Sequence, residues 1–136
     1  MRKTILLFAT VLAACSSEPR QEDIVLQTAK TYYEQLLHGD YKAFVAGTMG
    51  YGEGDSIPAA YREQLETNMK QFVARQKADH QGIDSVSSVR AKLDTTSVNG
   101  IQTISASAFL NIHYSDKTTE QVVVPMVLKD NVWIMR

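Results

Sequence analysis

The sequence predicts a single α+β domain, with three helices followed by a four-stranded antiparallel sheet. Three observations carry this expectation. Between Asp23 and His80, apolar residues recur at three- and four-residue steps, the period of helices with one buried stripe. Past Gly82 the period falls to two, the mark of half-buried strands. The strand-like runs are separated by short turn-forming sequences, among them Asn99-Gly100, a strong hairpin signal. Helices gathered before a meander of strands pack on one face of the sheet.

The first helix starts at Asp23, and Val25, Ala29, Tyr32, Tyr33, Leu36 and Leu37 form its stripe. His38 falls in its last turn, and Gly39 stands where a left-handed terminating residue belongs. Asp40 caps a short second helix through Tyr41, Phe44 and Val45, which ends near Gly47. A loop from Met49 to Asp55 leads to the third helix, expected to be capped by Asp55 or Ser56 with Pro58 in its first turn. Tyr61, Leu65, Met69, Phe72 and Val73 form the stripe of that helix, and Gly82 stops it.

The first strand covers Ile83 to Asp94, with Val89, Ala91 and Leu93 on one face and Arg90 and Lys92 on the other. The second, Ile101 to Tyr114, turns Ile104, Ala106, Ala108, Leu110 and Ile112 one way, and Thr103, Ser105, Ser107, Asn111 and His113 the other. The third runs from Thr118 to Leu128, where Pro125 points to an edge or a bulge. Asp130-Asn131 turns the chain into a last strand, Val132 to Arg136.

Composition narrows the function classes. With 136 residues, 44% hydrophobic and 21% charged, the chain is of ordinary globular make-up, which excludes a disordered, collagen-like or polytopic membrane protein. A formal charge of −1 lacks the basic excess of a nucleic-acid binder. A single cysteine, Cys15, can form neither an intrachain disulfide nor a cysteine metal cluster.

Residues 1–14 have the proportions of a removable secretory signal. Arg2 and Lys3 give a positive start, and the apolar run Ile5 to Ala14 is too short for the ~20 residues that span a bilayer. The run closes on Leu12-Ala13-Ala14-Cys15, which resembles the lipobox of bacterial lipoproteins. The resemblance implies that Cys15 becomes the first mature residue and carries diacylglyceryl on its thiol, with acyl chains such as palmitate. It implies a membrane partner through that lipid and a place in the cell envelope. Ser16, rather than aspartate, after the cysteine resembles an outer-membrane destination, with the periplasmic or surface side left open. Losing residues 1–14 leaves 122 residues and moves the charge to −3. Residues 15–22 then form the lipidated cysteine and a polar tether, and 23–136 the folded domain.

A search for chemistry gives little. His38, His80 and His113 lie far apart with no carboxylate at ligand spacing, so neither a metal motif nor a cofactor is expected. His38 and His80 are expected to face the carbonyls that end their helices. His113 is the nearest candidate for a catalytic base, because Asn111 and Thr103 share its strand face. Asp84, Asp94, Asp116 and Asp130 are expected on wet faces or in turns, so none serves as an inward acid. Gly50-Tyr51-Gly52-Glu53-Gly54 lacks the preceding strand and the lysine of a phosphate loop; it reads as a connector, or as the lip of a pocket. Tyr33, Tyr41, Tyr51, His113 and Trp133 are the ligand-pocket candidates, while core packing is expected for Tyr32, Tyr61 and Trp133.

The helix-then-strand order over roughly residues 22–136 resembles the nuclear transport factor-like, or cystatin-like, cone fold. In that fold a curved sheet wraps around a long helix and leaves a pocket. Small lipoproteins with a domain of unknown function of this kind are similar in size and in ending on a short strand. The expected function is therefore a non-catalytic, anchored envelope domain that binds a small molecule or another envelope protein. Two alternatives stand beside it: a small lyase or isomerase of the cone fold, and a structural or inhibitory lipoprotein using an apolar sheet face around Phe109, Val123 and Val127.

Overall fold

The computed structural model describes residues 20–52 and 54–136. It contains three helices, α1 (Gln21–Leu37), α2 (Tyr41–Ala46) and α3 (Ala59–His80). Four strands follow, β1 (Ile83–Val98), β2 (Ile101–Tyr114), β3 (Thr119–Lys129) and β4 (Val132–Met135). The strands form one antiparallel sheet in chain order, so the α+β reading and the meander both hold.

Helix starts differ from expectation. α1 takes in Gln21 and Glu22, two residues assigned to the tether, and Glu22 and Asp23 place negative charge in its first turn, where the helix dipole favours it. α2 begins as expected, with Asp40 accepting a bond from the Ala43 amide at 3.1 Å. α3 is not capped by Asp55 or Ser56; its N-cap is Pro58 and no side chain caps it. A proline disfavours helical backbone in the residue before it, so a helix including Ile57 could not start earlier. Asp55 turns back instead, and its Oδ2 accepts from the Gly52 amide at 2.8 Å.

Both two-residue hairpins follow from their turn residues. Asn99 and Gly100 have φ of 53° and 78°, and Asp130 and Asn131 have 52° and 63°. Positive φ at both central positions makes the turn whose twist matches the flanking strands. β1 runs on to Val98, four residues past its expected end. It is not evenly alternating, because the register slips between Ser88 and Arg90 and leaves Val89 unpaired in a bulge. Val89 is therefore 43% exposed rather than inward, and Val86 takes the buried place. A second slip between Ile83 and Ser85 bends the same strand. Pro125 makes no bulge. It pairs regularly with Ser107 and lies just past β4, whose cover of β3 starts at Met126. Its carbonyl points to that side and accepts from the Arg136 amide at 2.9 Å, so the missing N–H breaks no β2 bond.

The core lies between α1 and the sheet. Val25, Ala29 and Leu36 of α1 pack with Ala106, Ala108, Leu110 and Ile112 of β2, with Val124 and Met126 of β3, and with Trp133 and Met135 of β4. Trp133 is buried as expected, and its indole donates to Gln21 Oε1 at 3.2 Å. α2 packs against α1 and α3. α3 contributes Val73 as its one fully buried residue, with Met69 and Phe72 partly buried against the core. Tyr61, expected in the core, is 62% exposed because the first turn of α3 carries Arg62, not Tyr61, inward to the loop. Past α2, Gly47 and Met49 bond to both backbone groups of Met135, which covers the outer edge of β4. A side chain at Gly47 would collide with the Tyr32 ring, whose hydroxyl donates to the Trp133 carbonyl.

Candidate functional site

Two ring–carboxylate pairs meet where α3 ends beside the β2–β3 turn. Gln81 closes α3 in the left-handed conformation and brings His80 over the turn. The His80 ring stacks on Tyr114, with centroids 3.9 Å apart and planes 13° from parallel. Its Nδ1 lies 3.0 Å from Asp116 Oδ2, and the Asp116 amide donates to the His80 carbonyl. The Thr118 hydroxyl and amide both donate to Asp116 Oδ1. Those bonds, with His80, hold the Asp116 carboxyl below its ordinary range.

Beside this pair, the Tyr114 hydroxyl donates to Glu120 Oε1 at 2.9 Å, with Gln76 Oε1 also in reach at 3.2 Å. Burial first, and the Glu120 carboxylate second, push the Tyr114 phenol well above its ordinary range. Tyr33 is raised in the same way, by burial and then by Glu120. Its ring packs edge-on against Phe44 at 5.6 Å. Asp116 is thus half-buried and bonded rather than simply wet, and His80 bonds a side chain as well as the turn. A separation of 36 residues hid the pair from sequence spacing.

His113 is on the opposite face of the sheet. Its Nε2 lies 2.7 Å from Ser87 Oγ on β1 and its Nδ1 3.3 Å from Thr119 Oγ1 on β3. Both ring nitrogens are therefore engaged by hydroxyls, and its partners are not the expected Asn111 and Thr103. No carboxylate orients the ring, so a serine–histidine contact exists without the third member of a hydrolytic triad. Further along this face, Arg90 lies 4.1 Å over the Phe109 ring. Val127 is buried, which leaves Val123, 52% exposed, as the open part of the anticipated apolar patch.

The five pocket candidates do not share one cavity. Trp133 is in the core, Tyr33 is packed on Phe44, Tyr41 is half-exposed, and His113 is on the outer face. Tyr51 lines a groove of about 270 Å³ between α2, the glycine-rich loop and α3, together with Lys42, Val45, Arg62 and Glu66. The loop is held by Arg62, whose Nη2 donates to the Gly52 carbonyl at 2.7 Å and the Asp55 carbonyl at 3.0 Å. The buried Nε of Arg62 has no partner. The loop does border a groove, and a latching arginine ten residues away was the signal that sequence reading passed over. Among the described residues, no cluster of three or more His, Cys, Asp or Glu could hold a metal ion, and no helix is long and apolar enough to cross a membrane. Cys15 and the signal expected over residues 1–14 lie outside the described residues, as does Glu53.

No protein-family model matches the chain, and no curated protein matches it. Among solved structures it is similar to a protein from Campylobacter jejuni described as an NTF2-like transpeptidase. The TM-score is 0.54 at 17% identity, over 80% of this chain and 94% of that one. The fold is NTF2-like. On the side of the sheet under α1, Val25, Ala29, Ala108 and Leu110 are fully buried. The ring–carboxylate pairs stand at the end of this packed interior.

Proposed function

We propose that the chain is a lipid-anchored domain of the bacterial cell envelope, probing its surroundings by binding rather than by catalysis. The anchor rests on Leu12-Ala13-Ala14-Cys15. The non-catalytic reading rests on one observation: the interior beneath α1 is filled by aliphatic side chains, and no acid is among the buried residues described. On this reading the three helices together close one face of the sheet as a cone, and His80–Asp116 and Tyr114–Glu120 brace its end. The ligand enters the groove lined by Tyr51, Lys42 and Arg62, where a phenol, an ammonium and a guanidinium converge on a small volume. Asp40 and Glu66 line the same groove, so the set suits a small molecule, or a peptide end, that offers both donors and acceptors.

Native mass spectrometry of the chain purified from envelopes tests this. A retained small ligand, lost in Tyr51→Ala while the fold persists, is the expected result. Turnover of any substrate that depends on His80 or Asp116 would overturn it.

A second reading is favoured by the 2.7 Å contact between Ser87 and His113. Transpeptidase, the activity in the neighbour's description, is acyl transfer and needs a nucleophile. Ser87 could take that role with His113 as base, but neither an orienting acid nor a cavity accompanies them. The structural or inhibitory reading loses weight with the apolar patch reduced to Val123.

A further inference from the structure

The geometry points to the tip of the β1–β2 hairpin, Val98 and Ile101, as a second membrane contact, resting in the bilayer that holds the lipid anchor. This rests on the proposed anchor at Cys15. β1 and β2 outrun the rest of the sheet. The last β2–β3 pair is Ser105 with Val127, yet β1 and β2 stay paired as far as Val98 with Ile101. Residues Thr95 to Ile104 therefore form a two-stranded ribbon whose tip projects four residues, or ~13 Å, past Ser105.

The tip of the ribbon, rather than its whole length, suits a bilayer surface. Val98 and Ile101 are cross-strand partners, 61% and 70% exposed, the latter the most exposed large apolar residue among those described. Residues 95–104 carry no charge, although 21% of the chain is charged, so the largest cost of approaching lipid is absent, and the hydroxyls and amides of Thr95, Thr96, Ser97, Asn99, Gln102 and Thr103 suit the headgroup level. The two-residue Asn99-Gly100 turn places both apolar side chains at the extremity.

The entry point of the chain supplies the occupant. Leu37 and His38, at the end of α1, line a groove with Ile83 to Val86, at the start of β1. α1 thus runs back along β1, and its 17 residues, at ~1.5 Å each, cover about half the length of that strand. Gln21 confirms the direction by bonding the Trp133 indole, since Trp133 pairs with Leu128, one residue past the Val127–Ser105 pair. Arg20 therefore sits on the hairpin side of the domain, at the base of the ribbon. Five residue steps separate it from Cys15 and reach at most ~17 Å, close to the overhang of the ribbon. A chain held at Cys15 brings this end to the bilayer, and the His80–Asp116 end faces away.

The test uses the full, lipidated chain in vesicles of phosphatidylethanolamine and phosphatidylglycerol. Because the Cys15 sulfur is blocked by its lipid, Ile101→Cys offers a single thiol for an environment-sensitive fluorophore, and Lys70→Cys on the exposed side of α3 gives the comparison. In chains that float with the vesicles, the label at 101 is expected to shift to the blue and be quenched by spin-labelled lipid, while the label at 70 is not. Val98→Cys should repeat the result. Floating chains with a water-like, unquenched label at 101 would overturn the inference and leave the anchor standing. Chains that fail to float overturn the anchor, and the inference with it. A blue shift without vesicles that grows with protein concentration overturns it in favour of a second copy of the chain at the tip.

Discussion

His80 Nδ1 and Asp116 Oδ2 are 3.0 Å apart although 36 residues separate them, and this contact fixes the end of α3 to the β2–β3 turn. The Asp116 carboxyl is held below its ordinary value of 3.8, first by the Thr118 hydroxyl and also by His80. A depressed folded-state pKa contributes stability that is present above the unfolded value and lost as pH falls through the folded one. The chain should therefore lose stability below about pH 3.8, with Asp116 contributing to that loss. In Asp116→Asn, thermal unfolding followed from pH 5 downward should show a flatter acid limb; an unchanged limb would contradict the assignment.

Tyr114 sets the alkaline side. Its raised phenol means that the folded state holds this proton more tightly than the unfolded chain, whose value is near 10.0. Stability is complete below that value and falls as pH rises above it. Tyr114→Phe removes the bond to Glu120 and should cost about 1–2 kcal/mol at neutral pH, since Glu120 is exposed and regains water. The variant should also lose much of the decline above pH 10, measured by urea unfolding at a series of pH values.

Gly47 is fixed by contact rather than by backbone angle. Its φ of −80° suits any residue, but a β-carbon would collide with the Tyr32 ring. Gly47→Ala is expected to destabilise by about 1–3 kcal/mol. Tyr32→Leu should recover part of that loss in the double variant, and calorimetry of the four proteins measures the coupling.

Ser87 and His113 separate the binding reading from the enzymatic one. With both His113 nitrogens engaged and no acid behind the ring, Ser87→Ala and His113→Ala should each fold and hydrolyse an activated ester no more slowly than the parent chain. A loss of roughly 100-fold or more in both, the scale of a general base, would favour the acyl-transfer reading.

Much of the fold was legible because the signals were local. The period change at Gly82, the Asp40 cap and the two positive-φ hairpin turns each depend on residues within a few positions. The Val89 bulge was not legible, because the extra residue is defined only by what β2 places opposite it. The site fared worse for the same reason. Asp116 lies in a turn, where a carboxylate is normally wet, and only the arrival of α3 makes it a partner of His80. His113 was read on the strand face opposite Leu110 and Ile112 and as a pocket candidate, yet its partners came from two other strands and lie on the outer face. Arg62 drew no notice, since a lone arginine on a helix gives no hint that it holds a loop ten residues earlier.

The anchored-domain account is tested most directly by membrane fractionation and intact-mass measurement of the full chain and of Cys15→Ala. The account predicts that the parent chain sediments with membranes, with a mass that starts at Cys15 and includes the diacylglyceryl group and any further acyl chain, while Cys15→Ala is found in the soluble fraction. A parent chain recovered in the soluble fraction with an unmodified Cys15 thiol would contradict it.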